Sequence, residues 1–226
     1  MHEHEREALR AKVRGAARDA VSRGEPLAWF EELYRAEAAG ELRLPWANFE
    51  PTPQLVAWIG PREPRRGARA LVVGCGFGDD AAFLAGRGFA TTAFDVAPTA
   101  IERARSRFRD LAIEFEVADL LHPPASWRRA FDLVVEVYTL QALPTDVQRR
   151  AIDALSELVA PGGQLFVCCR GRDEDEPVGE VPWPLAACDL ARFESRGLVR
   201  VSFEDAFDDE EPPVRRFVAV YARETG

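Results

Sequence analysis

The chain has 226 residues, 47% of them hydrophobic, which suits one α/β domain with elaborations better than two independent domains. Its net charge of −9 is spread along the sequence, without the basic face that binds phosphate backbones, so neither nucleic acid nor an anionic membrane surface is an expected partner. The cysteines (Cys75, Cys168, Cys169, Cys188) form no CxxC pair, and histidine occurs only at His2, His4 and His122. No disulfide framework and no metal centre is therefore expected. The N-terminal stretch is charged and no segment approaches the roughly 20 apolar residues that span a bilayer, so a cytoplasmic protein is expected.

Residues 4–38 carry apolar positions at helical spacing (Leu9, Val13, Ala16, Ala20, then Leu27, Phe30, Leu33, Tyr34), which predicts two helices broken near Ser22–Pro26. A proline-punctuated segment follows, with a short helix expected over Gln54–Trp58. From Arg69 onward, β-rich runs alternate with helical patterns. Strands are predicted at "ARALVVG", "FATTAFD", "IEFEVAD", "FDLVVEV" and "QLFVCCR"; helices at "DDAAFLAGRG", "APTAIERARSRFRD" and "TDVQRRAIDALSELVA", the last ended by "PGG". Regular alternation of this kind implies a parallel sheet covered by helices on both faces. Next come an acidic, proline-containing insertion, one helix over "LAACDLARFESRG", and two strands joined by the turn "DDEEPP". That hairpin makes the last strand antiparallel to its neighbour. The division expected is 1–64 as a helical extension and lid, and 65–226 as the main domain.

The stretch "GCGFGDD" follows the first strand, at the carboxyl edge where ligands bind in such sheets. Gly74, Gly76 and Gly78 alternate, and Asp79 stands where a dinucleotide fingerprint has its third glycine. Asp79 and Asp80 suit a helix N-terminus but line a pyrophosphate site poorly. Asp95 ends the second strand at the spacing from which an acid takes ribose hydroxyls, and Asp119 follows the third. From these residues alone the turn could hold a dinucleotide, a nucleoside without phosphate, or nothing.

In series, "VVGCGFGDDAAFLAGRGF", "TAFDVAPTAIERA", "VADL", "FDLVVEVYTLQALP" and "LVAPGGQLFVCCR" resemble the class I S-adenosylmethionine-dependent methyltransferases over about residues 69–170. The resemblance implies a Rossmann-like fold: a seven-stranded, mostly parallel sheet with an antiparallel last strand and an N-terminal helical extension. It implies S-adenosylmethionine as cofactor and S-adenosylhomocysteine as product. Gly74, Cys75, Gly76, Gly78 and Asp79 would lie against the methionine part, Asp95 and Val96 at the ribose, and Asp119 and Leu120 at the adenine. Glu136, at the end of the fourth strand, would also face the cofactor. The flanks, "LPW", "EPVGEVPWPLAACDLARF" and the acidic tail, resemble the thiopurine S-methyltransferase-like branch. Glu136-Val137-Tyr138 departs from that branch's Asp-Arg-Gly.

Aromatic faces attract a sulfonium as they attract other cations. Trp29, Tyr34, Trp46, Tyr138 and Trp183 are therefore expected around the acceptor, with Arg170 among the arginines suited to an acidic one; Tyr138 and Glu136 are the expected catalytic residues. The expected reaction is methyl transfer to a heteroatom of a small molecule, sulfur first, by a monomer or weak homo-oligomer. Two other readings stay open: a nicotinamide-dependent (NAD(P)) oxidoreductase and a non-catalytic methyltransferase-like binding subunit.

Overall fold

The computed structural model describes residues 3–60, 63–208, 210 and 212–225, with side chains from Glu7 onward. His2, the side chain of His4, and Asp209 and Glu211 of the predicted acidic turn lie outside the described residues.

Two helices, α1 (Glu3–Ser22) and α2 (Ala28–Ala38), precede a third, α3 (Pro53–Ile59). The main domain then alternates β1 (Arg69–Val73), α4 (Asp79–Gly86), β2 (Ala90–Asp95), α5 (Pro98–Arg107), β3 (Ile113–Val117), β4 (Phe131–Val137), α6 (Thr145–Leu158) and β5 (Val159–Arg172). A two-residue strand β6 (Leu185–Ala186), short helices α7 (Ala187–Leu190) and α8 (Arg192–Ser195), and the hairpin β7 (Val199–Phe207) and β8 (Arg215–Ala222) complete it.

The described residues form an eight-stranded sheet in the order β3-β2-β1-β4-β5-β8-β7, with β6 paired parallel to β5 off that path. β8 runs antiparallel to both β5 and β7. The expected seven-stranded sheet is therefore present with β6 added. Alternation along β1 feeds two cores. Leu71 and Val73 pack with Val147, Ala151 and Leu155 of α6, while Ala70 and Val72 pack with Leu84 of α4 and Ile101 of α5. A third cluster joins Val13, Trp29, Leu33 and Tyr34 of the N-terminal helices to Phe77, Ala97 and Ala100.

Two elements differ from the sequence reading. The helix before "PGG" stops at Leu158, because Val159 already pairs with Phe131 in the sheet. β5 then bulges, so that Leu133 faces Gln164; a side chain at Gly163 would meet the Phe131 carbonyl oxygen at 2.8 Å. The predicted helix over "LAACDLARFESRG" starts as strand and is two helices broken at Ala191. Among the described residues no helix is long and apolar enough to cross a membrane.

Candidate active site

The sheet order reverses between β1 and β4, and a cavity of about 920 Å³ opens over the carboxyl ends of those strands. Its walls come from the turn after β1, the ends of β2, β4 and β5, the N-terminal helices and the turn before β8.

The three glycines of the first turn all have positive φ, and each is required for a different reason. A side chain at Gly74 would fall 2.3 Å from Thr139 Oγ1, and one at Gly78 would meet the Phe115 ring at 3.0 Å, so these two let neighbouring elements close. At Gly76 the neighbour is the Tyr34 hydroxyl, at 3.0 Å, across the cavity wall. Tyr34 accepts a hydrogen bond from Trp46 Nε1 (3.2 Å), and Trp46 meets Trp29 edge to face. α2 is fixed there by Glu31, which accepts from Thr99 N (3.1 Å) and Oγ1 (2.8 Å) at the start of α5.

Asp95 carries the site's most perturbed cavity-facing carboxylate. It accepts from Gly76 N and Ala97 N, both at 3.0 Å, and burial pushes its pKa up to about 6 against those hydrogen bonds. The other acids of the turn are engaged with protein groups. Asp79 is bidentate with Arg107 (2.6 and 2.8 Å), and Asp80 accepts from Thr52 N (2.7 Å) and Oγ1 (2.9 Å). Burial raises the pKa of Asp80 and, further, that of Cys75.

Gly74, Cys75, Gly76, Asp79, Asp95, Val96, Leu120, Trp29, Tyr34, Trp46, Tyr138 and Arg170 all line this one cavity. Gly78, Asp119, Glu136 and Trp183 are not among its lining residues. Asp119 turns back on its own loop, accepting from Leu121 N (2.8 Å) and pairing with His122 Nδ1 (2.8 Å), so Ala118, Leu120 and Leu121 form the wall there. Trp183 packs in the N-terminal cluster and donates its backbone N–H to the Gln141 carbonyl oxygen (2.6 Å). Glu136 is fully buried behind the wall. Its Oε1 accepts from Thr139 N (2.8 Å) and Leu140 N (2.9 Å), its Oε2 has no partner, and burial pushes its pKa up to about 8.

The turn that Glu136 holds presents Tyr138 at φ 61°, with the Arg216 guanidinium 4.8 Å above its ring. Burial raises the Tyr138 pKa well above the ordinary phenol value, and the neighbouring Cys168 thiol adds to the rise. Arg216 is itself held by Asp208 (2.7 Å) and Glu210. Asp208, Glu210 and Gln141 also line the cavity, and the sequence reading placed none of them there. "DDEEPP" has the composition of a solvated turn, and nothing in its spacing shows that Asp208, Glu210 and Pro212 reach the cavity.

Residues 70–163 match the family model described as a methyltransferase domain. The chain is 26% identical over 172 residues to the 2-heptyl-1-hydroxyquinolin-4(1H)-one methyltransferase of Mycobacteroides abscessus, covering 74% of each chain. It is 35% identical over 120 residues to a ubiquinone biosynthesis O-methyltransferase of Xylella fastidiosa, covering 51% of this chain and 47% of that one. A probable thiol methyltransferase of Arabidopsis thaliana is 29% identical over 132 residues, with 58% of each covered. The chain thus spans only about half the length of several of these relatives. Among solved structures, one described as the conversion of a disulfide bond into a thioacetal group during echinomycin biosynthesis superposes with a TM-score of 0.70 and 26% identity, over 87% of this chain and 92% of that one.

Proposed function

We propose that this enzyme, a class I S-adenosylmethionine-dependent methyltransferase, passes the methyl group to the sulfur of a small-molecule thiol. The methyltransferase domain match removes the nicotinamide-dependent oxidoreductase from consideration. The residues present fit the methyl donor. Three carboxylates (Asp79, Asp80, Asp95) surround the first turn, and its nearest guanidinium, Arg107, is spent on Asp79. That charge balance suits a cationic, phosphate-free nucleoside.

When bound, the donor supplies a methyl carbon on a positively charged sulfur. Everything else is the work of the chain. Gly74 and Gly76 bring bare backbone to the ligand, Asp95 accepts from the ribose diol, and Val96, Ala118 and Leu120 give the adenine an apolar wall. Tyr34, Trp46 and Trp29 wall the cavity with aromatic rings and exclude water, so that the acceptor is aligned with the methyl carbon. The balanced change is one carbon–sulfur bond broken on the donor and one formed on the acceptor, with the acceptor's proton lost to solvent beforehand.

Sulfur is favoured by one observation: among the described residues, the candidate bases on the Tyr138 side of the cavity are committed elsewhere. Tyr138 has a raised pKa, Glu136 is sealed behind the wall, and Asp208 and Glu210 hold Arg216. A thiol ionises near neutral pH unaided, at a pKa of about 8.5, whereas a phenol at about 10 needs a base. The thiol methyltransferase relative supports this reading and with it a place near the thiopurine S-methyltransferase-like branch; the quinolone and ubiquinone relatives favour oxygen. The deciding measurement is S-adenosylhomocysteine release with thiophenol, phenol and aniline, and with their carboxylate-bearing analogues, at matched concentration. We expect each thiol to be turned over at least about tenfold faster than the matching phenol. Faster turnover of the phenols would move the assignment to oxygen, and of the anilines to nitrogen.

A further inference from the structure

At the end of the cavity between β5 and the turn before β8, which the methyl-transfer reading gives to the acceptor, one arginine has no ion-pair partner among the described residues. Four arginines cluster near the ends of β5 and β8. Arg172 donates to the carbonyls of Asp173, Glu174, Glu176 and Pro184 and pairs with Asp189 at 3.3 Å. Arg215 is bidentate with Asp205, both bonds at 2.7 Å, and bonds Asp173 at 2.7 Å. Arg216 is satisfied by Asp208 and Glu210.

Arg170 differs from all three. Among the described residues no carboxylate lies within ion-pair distance of it, and its Nε is buried with no hydrogen-bond partner. Its side chain lines the cavity, and its backbone N–H is fixed by Gln141 Oε1 at 2.6 Å. Burial, with Arg216 close by, lowers its pKa. A guanidinium remains charged at any pH a protein tolerates, so it cannot escape this cost by losing a proton. Arg170 is half-buried, and its Nε is closed off from water with no acceptor, a desolvation cost that a ligand anion on the guanidinium can offset. Beside the paired Arg216–Asp208–Glu210 cluster, this part of the cavity carries apolar side chains for the body of a ligand, Val181, Pro182 and Val214 among them.

We propose that the methyl acceptor is an organic acid, an apolar body carrying one carboxylate, and that Arg170 is the residue that selects it by pairing with that carboxylate. The proposal rests on the methyl-transfer reading of the same cavity. A planar guanidinium fork matches the two oxygens of a carboxylate, which a neutral amide of the same shape cannot imitate.

The test is calorimetry with benzoate, 3-phenylpropanoate and octanoate against their primary amides, on the full chain with and without S-adenosylhomocysteine. At least one carboxylate should bind about tenfold to a hundredfold more tightly than its amide. Arg170→Gln should abolish that preference, and Arg170→Lys should retain part of it. S-adenosylhomocysteine binding reports whether each variant is folded. Equal affinity within all three pairs, no binding of any carboxylate, or a preference that survives Arg170→Gln overturns the proposal. If S-adenosylhomocysteine itself does not bind the native chain, the methyl-transfer reading fails, and the ligand-free titrations still decide the role of Arg170.

Discussion

Asp95 sits at the end of β2, 6% exposed, with both oxygens already on backbone N–H groups and its pKa pushed up to about 6 by burial. Hydroxyl donors from a ribose stabilise the carboxylate and not the acid, so binding must release the proton when the pH is below that value. Affinity for S-adenosylhomocysteine is therefore expected to be flat above pH 7 and to fall towards tenfold per unit below about pH 6. Asp95→Asn should weaken binding about tenfold to a hundredfold at pH 7.5 and flatten the profile; calorimetry across pH 5 to 8 reads both. A slope that persists in the variant would assign the proton elsewhere. Asp95 was legible because a strand pattern ends on it at nucleoside spacing from a glycine turn. Asp119 and Glu136 have equally suggestive positions, but spacing along a chain does not say where a carboxylate points. An Asx-type turn folds Asp119 onto Leu121, and the tight turn after β4 draws Glu136 onto Thr139 and Leu140. Arg170 could not be told from Arg172, Arg215 and Arg216 in the sequence either, since the acids that occupy the others come from Asp189, Asp205 and Asp208.

The strands and helices of the alternating region were legible as elements because each has a single period: β1 and β4 are short apolar runs, α6 is amphipathic over its whole length. The errors fall where one segment changes period within a few residues, as at Val159 and Ala186. The turn after β4 depends on such local chemistry, because a buried carboxyl caps it. Glu136 has its folded pKa raised from 4.5 to about 8, so the stability it contributes is present at low pH and lost as the pH rises through about 8. Glu136→Gln keeps the oxygen that accepts from Thr139 and Leu140 and removes the titration. We expect the variant to match the native chain near pH 5 and to be more stable by a few kcal/mol at pH 9, read as urea midpoints at both values. A native stability that does not decline between pH 6 and 9 relative to Glu136→Gln would mean that the carboxyl is ionised throughout.

At the scale of the molecule, the boundary expected at residue 64 divides the sequence more cleanly than it divides the structure. Trp29, Leu33 and Tyr34 share a core with Phe77 from the glycine turn and with Ala97 and Ala100 at the start of α5, and Thr52 is hydrogen-bonded to Asp80 in the first turn of α4. The N-terminal helices thus form one wall of the cavity and rest on the glycine turn and the helix starts that form the opposite wall. A ligand wedged between the two should lower the opening of both together, because anything that binds the closed state alone stabilises it by mass action. Amide hydrogen exchange with saturating S-adenosylhomocysteine should therefore slow in α2 and in the 44–59 segment as much as in β1, α4 and the end of β2. At a hundredfold excess over the dissociation constant, the limiting stabilisation is about 2.7 kcal/mol, roughly a hundredfold in exchange rate. Protection confined to residues 69–121 would mean that the helices open independently of the donor. The cavity would then be closed by the acceptor, and the selectivity assigned to Arg170 would be exercised before the N-terminal wall is in place.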